Sequence, residues 1–151
     1  MVIVIFKFRL EKILNLRKRE ENLLKHEIFD IRNQILLMEK ELSVTRKTFK
    51  EKAENFLNAL KEGLSGEEIR EHQIELYLWK EREKEILKKI ESLRKKEEEL
   101  LNTYKEKRME RRMMEKLKTR RYKNYLRDMD RLSRKHMDEI AERRFWWGSK
   151  G

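Results

Sequence analysis

Apolar residues recur along the first part of the chain at alternating steps of three and four, separated mainly by Glu, Lys and Arg. Eleven of the 15 positions at this spacing between residues 10 and 59 are apolar. Such spacing places side chains on one stripe of a helix and is typical of coiled coils. It therefore predicts a long helix that packs against a partner helix. The positions are Leu10, Leu14, Arg17, Glu21, Leu24, Ile28, Ile31, Ile35, Met38, Leu42, Thr45, Phe49, Lys52, Phe56 and Ala59.

The same spacing resumes after a short interruption, and this second set of positions predicts a second helix. The interruption contains Gly63, which suits the left-handed residue that ends a helix. Ser65 and Glu68 then form a Ser-x-x-Glu capping box for the next helix. We interpret the interruption as a turn; the alternative is a short flexible loop within one long helix. The second set is Ile69, His72, Leu76, Trp79, Glu83, Ile86, Ile90, Leu93, Glu97, Leu100 and Tyr104.

Residues that face each other in two antiparallel helices have numbers with a constant sum. A sum of 128 pairs Ile28 with Leu100 and Leu42 with Ile86, and its midpoint, residue 64, falls in the predicted turn. The sequence therefore predicts an all-α protein, a long antiparallel two-helix coiled-coil hairpin in which the second helix overhangs the first.

The same sum predicts two polar layers near the start of the first helix. Glu21 faces Lys107, which is an attractive pair. Arg17 faces Arg111, and like charges in a coiled-coil core repel and lose hydration. We therefore expect this layer to weaken the pairing and expect Arg17→Leu to raise the melting temperature.

The second helix is predicted to run about 25 residues, or ~35 Å, past its pairing with the first. The predicted segments are 1–62 for the first helix, 63–66 for the hinge, 67–147 for the second helix with an unpaired part from about residue 123, and 148–151 for a tail. An apolar stripe continues along the unpaired part, which favours a partner in another molecule over fraying in solution. This stripe contains Tyr122, Tyr125, Met129, Leu132, His136 and Ile140.

The composition argues against a globular core, because 46% of the residues are charged and the mean hydropathy is -1.01. Proline and cysteine are absent, so nothing breaks the helices and no disulfide forms. No run approaches the ~20 apolar residues of a membrane span, and the start MVIVIF lacks the features of a signal peptide. We expect a protein that is soluble or at most peripheral.

Most of the net charge of +11 lies in one segment, residues 105–127, which has 11 Lys or Arg and three Glu. Such a segment is either a solvated helix face or a surface for an acidic protein, a nucleic acid or an anionic membrane. Three tyrosines are interleaved with the basic residues, but a lone helix offers no concave stacking platform and no nucleic-acid-binding motif is present.

No residue pattern predicts an enzyme or a cofactor site. The three histidines, His26, His72 and His136, fall on parts of the predicted hairpin that do not converge, which argues against a metal site. The sequence has no Gly-rich phosphate loop and no nucleophile motif. We expect no catalysis, no cofactor and no small-molecule substrate.

Two stretches near the ends of the chain are distinctive. The first, from Phe6 to Asn22, reads FKFRLEKILNLRKREEN, and the second, from Arg134 to Arg144, reads RKHMDEIAERR. Both resemble the FliJ family of flagellar export proteins. The first is similar to the family's start, an F-x-F-R-L-like stretch with a leucine pair and a mixed Arg/Glu run, and the second is similar to its basic-then-Asp-Glu ending. The FWW at residues 145–147 departs from the family pattern.

The resemblance implies a component of the flagellar type III export apparatus, cytoplasmic and peripheral at the inner membrane. Family members resemble the central stalk of rotary ATPases, sit in the hexameric export ATPase ring, promote its assembly, contact the export gate membrane protein and handle export chaperones. We expect the protein to be a monomer on its own. The residues expected to engage the ATPase are Phe6, Phe8, Arg9, Leu10, Tyr125, Met129, Leu132 and Ile140, and Tyr77 is expected on the gate side.

Two other function classes remain open. A self-associating coiled-coil scaffold predicts homodimers through the unpaired part of the second helix. A basic nucleic-acid-binding rod predicts binding that weakens steeply with salt.

Overall fold

The protein is all-α, and a computed structural model describes residues 6–149. Helix α1 (Glu11–Glu62) and helix α2 (Gly66–Ser149) pack against each other and are joined by three residues. The predicted helical hairpin is therefore confirmed. Residues 1–5, whose conformation the sequence leaves open, and residues 150–151 of the predicted tail lie outside the described residues. Residues 148 and 149, also predicted as tail, are the last residues of α2.

The turn between the helices has the chemistry that its sequence predicts. Gly63 adopts a left-handed conformation with φ of 99°, and its N–H donates to the Ala59 carbonyl at 3.1 Å. The Ser65 hydroxyl oxygen then accepts a hydrogen bond from the Glu68 N–H at 3.2 Å. The turn is therefore made by a glycine that ends α1 and a serine that caps α2.

The first helix begins later than the sequence predicts. Residues 6–10 precede α1, and the Phe8 carbonyl accepts a hydrogen bond from the Glu11 N–H at 3.0 Å across a turn. Phe6 and Phe8 are two residues apart, and that spacing places side chains about 200° apart on a helix. In this non-helical segment both aromatic side chains instead contact α2.

The chain divides into two compact units, each of which contains part of both helices. Unit 1 combines residues 1–21 with 106–151, and unit 2 is residues 22–105. In unit 2 the predicted core positions are the less exposed ones, and four isoleucines among them are only 3–7% exposed. The Phe56 and His72 rings stack at 5.1 Å between centroids, and their numbers sum to 128, as predicted. The buried isoleucines are Ile28, Ile35, Ile86 and Ile90.

Unit 1 keeps the same register in the part of the chain near Phe6. The Phe6 and Tyr122 rings lie 5.2 Å apart, and their numbers again sum to 128. Leu14 is 1% exposed, at its predicted core position. The division of α2 into paired and unpaired parts stays a prediction, because residues 1–5 lie outside the described chain.

The expected repulsion between Arg17 and Arg111 is wrong. Arg17 pairs with Glu20 at 3.3 Å and with Glu110 at 3.2 Å. Lys107 pairs with Glu20 at 3.2 Å and with Glu110 at 4.0 Å, so the four charges alternate in sign around a closed ring. This arrangement removes the reason to expect stabilisation from Arg17→Leu.

Arg111 has carboxylates of its own. Its guanidinium donates hydrogen bonds to Glu21 and to Glu115, the latter at 3.0 Å. Glu21, which we expected to face Lys107, is only 4% exposed and sits in the core of unit 1. The layer is therefore a buried carboxylate neutralised by an arginine from the other helix.

Candidate partner-binding surface

Three aromatic side chains of unit 1 form a cluster, which we call the aromatic cluster: Phe6, Tyr122 and Tyr125. The Phe6 ring lies 5.2 Å from that of Tyr122, edge to face, and 5.5 Å from that of Tyr125. The two tyrosines are three residues apart on α2, so they share a face and receive Phe6 together. The cluster joins the predicted N-terminal and overhang residues in one surface.

The residues after Phe6 divide into supporting and accessible side chains. Phe8 is 7% exposed and lies against the Arg121 guanidinium, 5.7 Å from the ring centroid. Leu10 is half-buried, and among the three only Arg9 is exposed. A partner would therefore meet Arg9 and the aromatic cluster, while Phe8 fixes the turn that presents them.

A basic groove runs beside the aromatic cluster. Its lining residues are Phe6, Lys7, Phe8, Arg9, Glu11, Lys12 and Lys118. Glu11, the acidic residue in this set, is paired with Lys118 at 2.8 Å. The groove thus combines aromatic side chains with three exposed cations, Lys7, Arg9 and Lys12.

The predicted stripe on the overhang is partly accessible. Leu132 is 61% exposed, whereas Met129 and Ile140 are half-buried. Leu126 and Met137 are also exposed, although neither is one of the predicted stripe positions. Both lie one residue after a stripe position, so a wider apolar face would have found them.

Three further aromatic residues near the end of α2 are exposed: Phe145 (76%), Trp146 (65%) and Trp147 (82%). The sequence predicts no role for them. Trp147 follows Ile140 by seven residues, so it continues the predicted stripe. Heptad spacing was the signal that would have included it.

Tyr77 belongs to unit 2 and is exposed, as its expected contact role requires. Ile74 and Leu78 are exposed as well, and Ile74 precedes Tyr77 by three residues and Leu78 by four, so it neighbours both on one face of α2. The candidate gate-side surface is therefore an apolar patch of three side chains. The i, i+3, i+4 spacing in the sequence could have identified Ile74 and Leu78 together with Tyr77.

The whole net charge of the chain belongs to unit 1. Its two segments contain 22 Lys or Arg and 11 Asp or Glu, a net charge of +11. Unit 2 contains 18 of each and is neutral. The electrostatic potential of unit 1 therefore attracts anionic surfaces, whereas unit 2 offers mixed charge.

Two charged side chains between α1 and α2 in unit 1, Glu20 and Arg111, have shifted pKa values. The ammonium of Lys107, with a smaller effect of Arg17, holds the pKa of Glu20 below its ordinary value of 4.5. The carboxylate of Glu21, followed by that of Glu115, raises the pKa of Arg111, which therefore stays charged. Both shifts keep the side chain charged, as the ion pairs between α1 and α2 in unit 1 require.

We expect the melting temperature of the Glu20→Gln variant to fall less than that of the wild type as the pH is lowered. A lowered folded-state pKa stabilises the protein above the unfolded-state value and stops doing so as pH falls through the folded-state value. The wild type should therefore melt higher than the variant at pH 7, and the gap should close below pH 4.5. Circular dichroism melts at low salt measure this; a gap that persists at pH 2 contradicts it.

Among residues 6–149 no group of three or more acidic or histidine side chains is placed to hold a metal ion. Neither helix, over its described residues, has a stretch long and apolar enough to cross a bilayer.

Comparison with known protein families finds one that matches nearly the whole chain. A family model described as "FliJ: Flagellar FliJ protein" matches residues 6–150. No curated protein and no solved structure was found to match.

Proposed function

Because the chain belongs to the FliJ family of non-catalytic flagellar export proteins, we propose that it acts as a central stalk in the flagellar export ATPase ring. In this role it promotes assembly and activity of the ring and links it to the export gate and to export chaperones. The observation that carries the proposal is the composition of unit 1, which combines the aromatic cluster, the exposed Leu132 and the whole net charge.

Unit 1 supplies the ring contact in two steps. Its positive potential draws it towards an acidic lining, which speeds association. Apolar side chains then give the contact its strength: the aromatic cluster and Leu132 are large, and rings held together lose little freedom on binding. Arg9 adds an exposed cation beside the cluster.

The gate contact uses other residues. The exposed patch of Ile74, Tyr77 and Leu78 on unit 2 is apolar and small, which suits a transient contact with the cytoplasmic part of the gate protein. Through the ATPase and the gate the protein is held in the cytoplasm at the face of the inner membrane. Chaperone handling follows from the family and has no residue assigned to it.

The test is ATP hydrolysis by the purified export ATPase with and without the full chain. We expect the chain to raise both the hydrolysis rate and the fraction of ATPase in hexamers, measured by sedimentation. Tyr77→Ala is the matched control, because it should leave both effects intact and weaken only binding to the gate's cytoplasmic part. No change in hydrolysis and no change in hexamer fraction would contradict the stalk role.

A self-associating scaffold is the second candidate, favoured by one observation. Six large apolar residues of α1 in unit 2 are 55–64% exposed, which is unusual for a protein that remains alone. Sedimentation of the lipid-free, ATPase-free chain decides between the two, since the stalk role expects a monomer and the scaffold a dimer. The residues are Leu23, Phe29, Leu36, Leu37, Val44 and Leu57.

A further inference from the structure

The last turns of α2 present large aromatic side chains on several sides of the helix. Phe145, Trp146 and Trp147 are consecutive and 65–82% exposed. Each step along an α-helix turns the side chain by about 100°, so the three directions span about 200°. Arg144, also exposed, points to the side that the three aromatic residues leave open, and the exposed Arg143 points between Trp146 and Trp147. We call residues 143–147 the terminal segment.

This combination of side chains is suited to the interface between a bilayer and water. Tryptophan is enriched there because its indole has a large apolar body and one N–H that stays with the headgroups. Arginine adds attraction to anionic phospholipids, and its aliphatic stem lies along the apolar boundary. The net charge of +11 on unit 1 extends that attraction beyond the terminal segment.

We propose that the terminal segment binds the surface of bilayers that contain anionic phospholipids, with its aromatic side chains inserted among the headgroups. A protein groove holds one stripe of a helix, whereas these side chains point to several sides at once. A lipid interface deforms around all of them. The contact is interfacial, since neither described helix has a stretch that crosses a bilayer.

Tryptophan fluorescence of the full 151-residue chain tests the insertion. Trp79 is the third tryptophan and lies in unit 2, so Trp79→Phe leaves Trp146 and Trp147 as the reporters. With vesicles of phosphatidylcholine and phosphatidylglycerol we expect a blue shift and protection from an aqueous quencher. Phosphatidylcholine alone should bind about tenfold more weakly or worse, since it lacks the anionic headgroups. Unchanged emission with both vesicles overturns the proposal.

Vesicle co-sedimentation of variants identifies the residues. Phe145→Ser with Trp146→Ser and Trp147→Ser should lose binding, and Arg143→Glu with Arg144→Glu should weaken it about tenfold or more. Met137→Ser is the matched control, because Met137 is equally exposed on α2 but lies outside the terminal segment. Equal loss in the control overturns the assignment.

The same variants distinguish lipid from protein as the occupant. If the terminal segment instead joins two copies of the chain, the triple serine variant will convert a dimer to a monomer in lipid-free sedimentation, and vesicles will bind neither protein. That outcome overturns the proposal. The vesicles contain no ATPase, so the result is independent of the stalk role.

Discussion

We expect replacement of Arg111 with methionine to lower the free energy of unfolding by about 3 kcal/mol, because it removes the guanidinium that pairs with the buried Glu21 carboxylate. Methionine fills most of the volume of the arginine stem, so the loss reports the charge and its hydrogen bonds rather than a cavity. Urea unfolding of the full chain, followed by far-ultraviolet circular dichroism, measures the difference.

Two further variants isolate the cause. Arg112→Met changes an exposed neighbour by the same chemistry and should alter stability by about 0.5 kcal/mol or less. Glu21→Leu combined with Arg111→Met should recover most of the loss, since an apolar pair removes both buried charges together. Equal stabilities for wild type and Arg111→Met would mean that Glu21 is neutralised without Arg111.

The core and the turn could be predicted because both depend on local periodicity. Thr45 is polar, yet it is 2% exposed at the position that heptad spacing assigns to the core. Gly63 adopts the left-handed conformation that glycine permits, and Ser65 caps the helix that follows. Backbone geometry determines these features within a few residues, so one sequence is sufficient.

The polar layers could not be predicted from facing positions. Long side chains reach past the residue opposite: Arg111 pairs with Glu21, whose number sums with it to 132 rather than 128. Lys107 likewise pairs with Glu20 instead of Glu21. The constant sum identifies which backbone positions are neighbours. An arginine or lysine side chain reaches over a full helical turn, so it can pair with any of several carboxylates.

The candidate site was predicted in part. The sum of 128 pairs Phe6 with Tyr122, and Tyr125 joins them one turn later, so the aromatic cluster follows from the register. The burial of Phe8 does not, because it depends on a non-helical segment whose aromatic side chains both turn towards α2. Helical periodicity carries no information about such a segment.

We expect Met129→Asp combined with Leu132→Asp to abolish stimulation of the export ATPase while the helices remain folded. Under the proposed stalk role these side chains lie against apolar side chains within the otherwise acidic lining of the ATPase ring. A carboxylate placed there costs about 2 kcal/mol for each residue, which together weakens binding roughly a thousandfold. Hydrolysis rates titrated with the variant measure the loss, and its circular dichroism melt checks the fold.

Arg131→Asp is the matched control, because it lies on the opposite face of α2 and also lowers the net charge by two. If electrostatic attraction alone carried the contact, the control would lose stimulation to the same extent as the double variant. If the stripe carries it, the control keeps most of its stimulation and shows only slower association at low salt. Full stimulation by the double variant would exclude Met129 and Leu132 from the contact and leave the aromatic cluster and Arg9 to supply it.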